Sequence, residues 1–326
     1  MSAGCRAIIT GAGGFIGAAL ARRLLGEGVA LTLAVRPGGD PWRVEGLREE
    51  AEVVALDLRD ESAVAALVRD RRPDWVFHLA AHGAYSWQSD ARRIAETNLL
   101  GTIALADACA AVDVEALVHA GSSSEYGPKD HPPAESEALA PDSAYAVATA
   151  AATHYCAHVA RSRDLAAVTL RLYSAYGPWE EPRRLVPTLL AHAREGLLPA
   201  LVAPRTPRDF VFVDDVCGAF LAAAGAAREL AAGSVFNVAS GHETTVGELV
   251  EVVRAEFGVA ATPEWGSMPA RSWDTEVWVG DPSAIGAALG WRATTPLAEG
   301  LRATDEWMRA EPGADSRYRP GTNVGR

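Results

Sequence analysis

Residues 10–17 read Thr-Gly-Ala-Gly-Gly-Phe-Ile-Gly, between the short apolar run 6–10 and an amphipathic stretch over 15–25. A strand that passes through glycines at three-residue spacing into a helix leaves few folds open. Gly11 permits the tight turn, Gly14 removes a side chain where a pyrophosphate must approach the backbone, and Gly17 lets the helix pack close to the sheet. The first N–H groups of the helix, at Phe15 and Ile16, and its positive end then face that anion. The loop predicts a dinucleotide site.

The rest of the chain agrees with such a site. Apolar runs at 29–35, 53–56, 75–79, 116–120 and 167–171 alternate with helical patterns through Val64 and Val68, over 92–110 and over 144–161. Short strands separated by longer helices signal βαβ units and a parallel sheet covered on both faces. The expected fold class is α/β, a Rossmann-type doubly wound parallel sheet with a smaller C-terminal substrate-binding lobe. The expected division is a dinucleotide domain over 1–172 and a lobe over 173–310, with about 209–240 returning to the first domain. Residues 311–326 are expected to form a mobile tail.

Composition narrows the class of partner. Thirty Lys plus Arg against 42 Asp plus Glu give a net charge of −12 over 326 residues, which argues against non-specific nucleic-acid binding. A hydrophobic content of 49% excludes bulk disorder. Cys5, Cys109, Cys156 and Cys217 match no zinc-ligand spacing, and His154 and His158 lack a neighbouring ligand, so no metal is expected. With neither a membrane-length apolar run nor a leader-like N-terminus, a cytoplasmic protein is expected.

At the adenosine end, an acid normally follows the second strand to hold the ribose hydroxyls of NAD. Here Arg36 stands there, a residue that can meet a 2′-phosphate, so NADP is the expected form with NAD open. Asp57, after the third strand, is a candidate for the adenine amino group.

Taken in order, Gly11 to Gly17, the segment 73–81, Asn98, Ser122-Ser-Ser-Glu-Tyr-Gly-Pro128, Tyr145, the segment 171–178 and the segment 208–216 resemble the extended short-chain dehydrogenase/reductase superfamily. Within it they look like the nucleotide-sugar epimerase, dehydratase and ketoreductase branch. The resemblance implies that Tyr145 is the proton-transfer phenol and that Ser122 polarises the sugar oxygen. It implies that Leu58, Leu79, Ala80, Ala81, Asn98 and Thr149 join the glycine loop around the cofactor. It also places Ser123, Ser124, Ser174 and Arg208 toward a nucleotide-diphosphate sugar, in a homodimer; by position, His82 after the fourth strand faces nicotinamide or sugar, and Arg271 in the late segment is a second candidate for the diphosphate. Arg208 suits the diphosphate because a guanidinium makes charge-assisted bidentate contacts.

One departure bears on function. The family places a lysine four residues after the tyrosine, and this chain has Thr149. A phenol has a pKa near ~10, so losing that cation handicaps an oxidation, which needs the phenolate, more than a reduction, which uses the phenol as acid. The expectation is therefore NADPH-dependent reduction of a keto-hexose nucleotide. A 4-epimerase with retained NAD and a catalytically silent binder are the alternatives. Elimination is disfavoured because Ser123 and Ser124 stand where related dehydratases carry an Asp-Glu pair.

Overall fold

In the computed structural model, residues 4–268 and 277–320 are described. From the N-terminus they form β1 (Arg6–Thr10), α1 (Phe15–Gly26), β2 (Ala30–Val35), β3 (Glu52–Ala55), α2 (Glu61–Arg71), β4 (Trp75–His78), α3 (Ala91–Ala95) and, after a π-helical turn at Glu96–Leu100, α4 (Gly101–Ala111). Then come β5 (Ala116–Ser122), α5 (Ala144–Arg163), β6 (Ala167–Leu172), β7 (Ser174–Tyr176), α6 (Leu185–Ala193), β8 (Pro207–Arg208), β9 (Phe210–Phe212) and α7 (Val213–Ala226). The chain ends with β10 (Val235–Val238), β11 (Thr244–Thr245), α8 (Val246–Phe257), α9 (Ser283–Leu289), α10 (Leu297–Ala310) and α11 (Ala314–Tyr318).

Seven strands pair in the order β10-β6-β5-β4-β1-β2-β3, every pair parallel. The run 235–238 thus leaves the lobe and closes the edge of the main sheet. One apolar core lies under α1 and α7, the other under α2, α4 and α5, which is why these strands are apolar on both faces. A third core joins α6, α8, α10 and α11 in the lobe. The Thr245–Glu248 spacing forms a capping box that starts α8. Where a mobile tail was expected, α11 packs inward and buries Tyr318, whose hydroxyl donates to the Glu180 carbonyl at 2.5 Å.

The sheet centre carries two buried histidines. His78 lies between the hydroxyls of Thr10 (2.6 Å) and Thr102 (2.8 Å), and His119 sits 5.4 Å from it, ring to ring. Burial pushes the pKa of His78 far down and that of His119 from 6.5 to about 4. Above pH 6.5 neither ring takes a proton in either state, so nothing is lost. Below it the unfolded chain binds protons that the folded one refuses. Stability should fall by up to about 1.4 kcal/mol per pH unit for each ring. Urea midpoints measured between pH 7 and pH 4 check this, and a His119→Gln variant should show a shallower decline.

Candidate active site

The strand order reverses between β1 and β4, so the loops that leave their C-terminal ends diverge and open a crevice. Gly11 has φ +72°, and a Cβ there would lie 2.6 Å from the backbone of Leu79 and Ala80. A Cβ on Gly17 would lie 2.4 Å from the Gly11 carbonyl oxygen. No side chain caps α1 at Gly14, so the first-turn N–H groups remain for a ligand. This cradle fits a pyrophosphate: side chains would fill it, and its donors are the groups that an anion requires.

The cradle is part of a cleft of about 640 Å³. Gly11, Gly14, Phe15, Ile16, Gly17, Leu79 and Ala81 line it. So do Ser122, Ser123, Ser124, Tyr145, Ser174 and Arg208. The wall also includes Tyr85, together with Gln88, Glu180, Arg184 and Trp278, four residues that the sequence does not place there.

Other predicted residues stand behind the wall or away from it. Arg36 is exposed at the end of β2. Asp57 is engaged by Arg59 at 2.6 Å, and that pairing holds its carboxyl down at about 2. Leu58 is buried against Gly101, and Ala80 contributes backbone behind Gly11. Asn98 lies in the π-helical turn, where an extra residue re-aims a side chain. Its amide accepts from the His82 N–H (2.7 Å) and donates to the His82 carbonyl (2.8 Å), so it fixes the loop after β4. His82 itself is half-buried, and burial lowers its pKa. Arg271 lies outside the described residues.

Ser122 is oriented by a short helical turn at the end of β5. Its Oγ accepts from the Ser124 N–H (3.2 Å) and shares a proton with Ser124 Oγ (2.7 Å). Glu125 Oε1 accepts from the Ser122 N–H at 2.8 Å and completes a capping box. The other Glu125 oxygen receives Arg171 Nε at 3.0 Å, with both side chains buried. Glu125 is therefore a structural carboxylate turned away from the cleft. Behind the turn, the Tyr126 hydroxyl donates to Asn237 on β10 at 2.7 Å.

Tyr145 is in the first turn of α5, started by Ser143, whose hydroxyl accepts from the Ala146 N–H at 3.1 Å. Burial raises the phenol pKa above its ordinary value of 10, and the Glu125 charge adds to this. Hydrogen bonding to Ser122 opposes the rise, as do Thr149 and the positive charge of Arg184. Thr149 is buried one turn later and donates to the Tyr145 carbonyl at 2.9 Å, and its hydroxyl is also within reach of the phenol. The positive end of α5 lies at Tyr145 and favours its anion. Among the described residues no cluster of possible metal ligands occurs.

A doubly wound sheet with a glycine cradle and a Tyr–Ser hydroxyl pair at the carboxyl ends of its strands defines a dinucleotide-dependent enzyme of the extended short-chain dehydrogenase/reductase superfamily. Residues 7–239 match the NAD dependent epimerase/dehydratase family, and the chain belongs to it. It is 32% identical to the UDP-glucose 4-epimerase of Mycolicibacterium smegmatis, over 93% of this chain and 98% of that one. The crystal structure of Thermus thermophilus UDP-glucose 4-epimerase in complex with NAD has 32% identity and a TM-score of 0.81, covering 94% of this chain and 99% of that one. The Thermotoga maritima UDP-glucose 4-epimerase with UDP-glucose has 28% identity and a TM-score of 0.84, covering 93% and 98%.

These relatives correct two expectations. The preference for NADP is overturned by the NAD held in the Thermus enzyme. A single exposed arginine at a strand end is also what a solvated cation looks like, so Arg36 does not choose between the ribose forms. The expectation of NADPH-dependent ketoreduction is overturned by relatives that are 4-epimerases. The absent lysine is not the sole source of positive potential at the phenol: the helix end at Tyr145 and Arg184 also supply it.

Proposed function

We propose that this protein is a 4-epimerase acting on a nucleotide-diphosphate hexose with retained NAD. The observation that carries the reading is the placement of the Tyr145 and Ser122 hydroxyls together in the wall of one cleft with the glycine cradle. The cradle residues Gly11, Gly14 and Gly17, with the N–H groups of Phe15 and Ile16, would hold the pyrophosphate. When bound, NAD supplies reversible hydride exchange at the sugar C4. Tyr145 takes the C4 hydroxyl proton and returns it to the same oxygen after the sugar has presented its other face. Ser122 holds that oxygen through both events, its own hydroxyl fixed by Ser124.

Elimination fits less well, since Ser123 and Ser124 bring no carboxylate to the β5 end and Glu125 is committed to Arg171. Arg208, in the wall of the same cleft, would meet the diphosphate, and Ser174 the sugar or the diphosphate. A cytoplasmic location and a homodimer formed through the 92–110 stretch and α5 belong to the same proposal; the exposed apolar side chains Leu100, in the π-helical turn, and Val147, on α5, support the interface. No helix among the described residues is long and apolar enough to cross a membrane.

Incubation with a panel of UDP-, dTDP- and CDP-hexoses and catalytic NAD tests the reading. Interconversion of C4 epimers without net NADH is expected, and stoichiometric consumption of NADPH with a keto-sugar would reject it. Because the Tyr145 phenol sits above its ordinary range, the rate should rise with pH as the base form appears. Thr149→Lys, which places a cation one turn away, should move that rise down by about 1–3 pH units. An unmoved pH–rate profile would show that the lysine position does not control the phenol.

A further inference from the structure

Glu180 is a buried carboxyl that the proposed chemistry leaves unused. It is 5% exposed and forms part of the cleft wall, and its Oε2 has no hydrogen-bond partner in the protein. Such an unmet buried group costs about 1–3 kcal/mol, so a chain would normally turn it toward water. Here the loop is held. Arg43 Nε donates to the Trp179 carbonyl at 2.6 Å, the Tyr318 hydroxyl to the Glu180 carbonyl at 2.5 Å, and the Glu180 N–H to the Gly177 carbonyl at 3.3 Å. Trp179 is kept at φ +73°, a region that a bulky side chain avoids. The fold thus confines an unsatisfied carboxyl at the edge of a ligand cleft.

We propose that Glu180 is a sugar-recognition residue, its carboxyl group pairing with a hydroxyl of the substrate's hexose. The proposal rests on the reading of this cleft as a nucleotide-sugar site. Burial raises the Glu180 carboxyl to about 8, against the pull of Arg184 and Arg43 and with a push from Glu181. Tyr85, from the loop after β4, and Tyr318, from α11, are its other titratable neighbours. At neutral pH the group is therefore largely protonated and can both donate and accept, as a sugar hydroxyl does. Arg184 Nε lies 3.9 Å from Glu180 Oε1, so a cationic amino sugar would meet a like charge there.

Titration calorimetry of the NAD-loaded enzyme tests the assignment, with UDP-glucose and dTDP-glucose compared against UDP and dTDP. Glu180→Met, close in shape but apolar, should weaken the glucose-bearing ligands by about tenfold or more and leave the sugar-free diphosphates unchanged. Its thermal midpoint should equal or exceed that of the wild type, because an unmet buried carboxyl has been removed. Glu180→Gln, which keeps a hydrogen-bonding group of the same shape, should restore much of the lost affinity. Equal losses with UDP and UDP-glucose, no loss at all, or a loss that comes with a lower midpoint would overturn the assignment while leaving the epimerase reading intact. A wild-type enzyme that binds neither nucleotide sugar better than its sugar-free diphosphate would remove that reading, and this site with it.

Discussion

Replacing Tyr145 with phenylalanine should lower kcat by about 10²–10⁴-fold and change affinity for the nucleotide sugar little. The ring would still fill its place beside Gly83, where a Cβ on the glycine would lie 3.4 Å from the tyrosine ring. What is lost is the hydroxyl that exchanges the C4 proton. Ser122 cannot replace it: its hydroxyl already accepts from the Ser124 N–H and shares a proton with Ser124 Oγ. Steady-state rates and calorimetric affinities, measured on the same preparation, separate the two effects. Turnover within a few-fold of the wild type would show that the proton leaves by another route.

Arg171→Met should destabilise the protein by about 3–5 kcal/mol, the largest stability effect expected of a single change near the site. The cost arises because Glu125, fully buried, would lose the cation that compensates it. Arg171 also lies over the Tyr126 ring at 4.5 Å, so the loss extends to the turn that carries Ser122. The urea midpoint should fall, and kcat should fall with it, because Glu125 Oε1 holds the Ser122 N–H. A double variant, Arg171→Met with Glu125→Leu, should regain much of the stability, since an apolar pair of similar volume replaces the buried ions. Its kcat should stay low. Recovery of both properties would mean that the ion pair does not position Ser122.

What could be read from the sequence follows the range of the interactions involved. The glycine loop was legible because its constraint is local: three glycines, one turn, one helix start. The main strands were legible because a sheet covered on both faces needs continuous apolar runs. Ser122 and Tyr145 were legible only as members of an ordered set of motifs, since nothing local says that positions 23 residues apart share a wall. The structural role of Glu125 was not legible, because its partner Arg171 lies 46 residues away along the chain. Helix α7, which follows β9 directly, was not legible, because apolar residues on nearly every side mask its periodicity. Glu180 and Arg184 reach the cleft through a loop held by Arg43 and Tyr318, partners 136 and 138 residues away along the chain. No spacing rule exposes such a contact. The cofactor form was not legible at Arg36, because several groups together, and not one exposed charge, select the ribose.

In the proposed reaction Tyr145 exchanges a proton at a sugar oxygen that Ser122 holds, while C4 inverts with bound NAD. A nucleotide hexose carrying deuterium at C4, given to the NAD-loaded enzyme, tests it most directly. The expected product is the C4 epimer with the deuterium still at C4 and no net change in NADH. Loss of the label to solvent, or no epimer from any hexose nucleotide that binds, would contradict it.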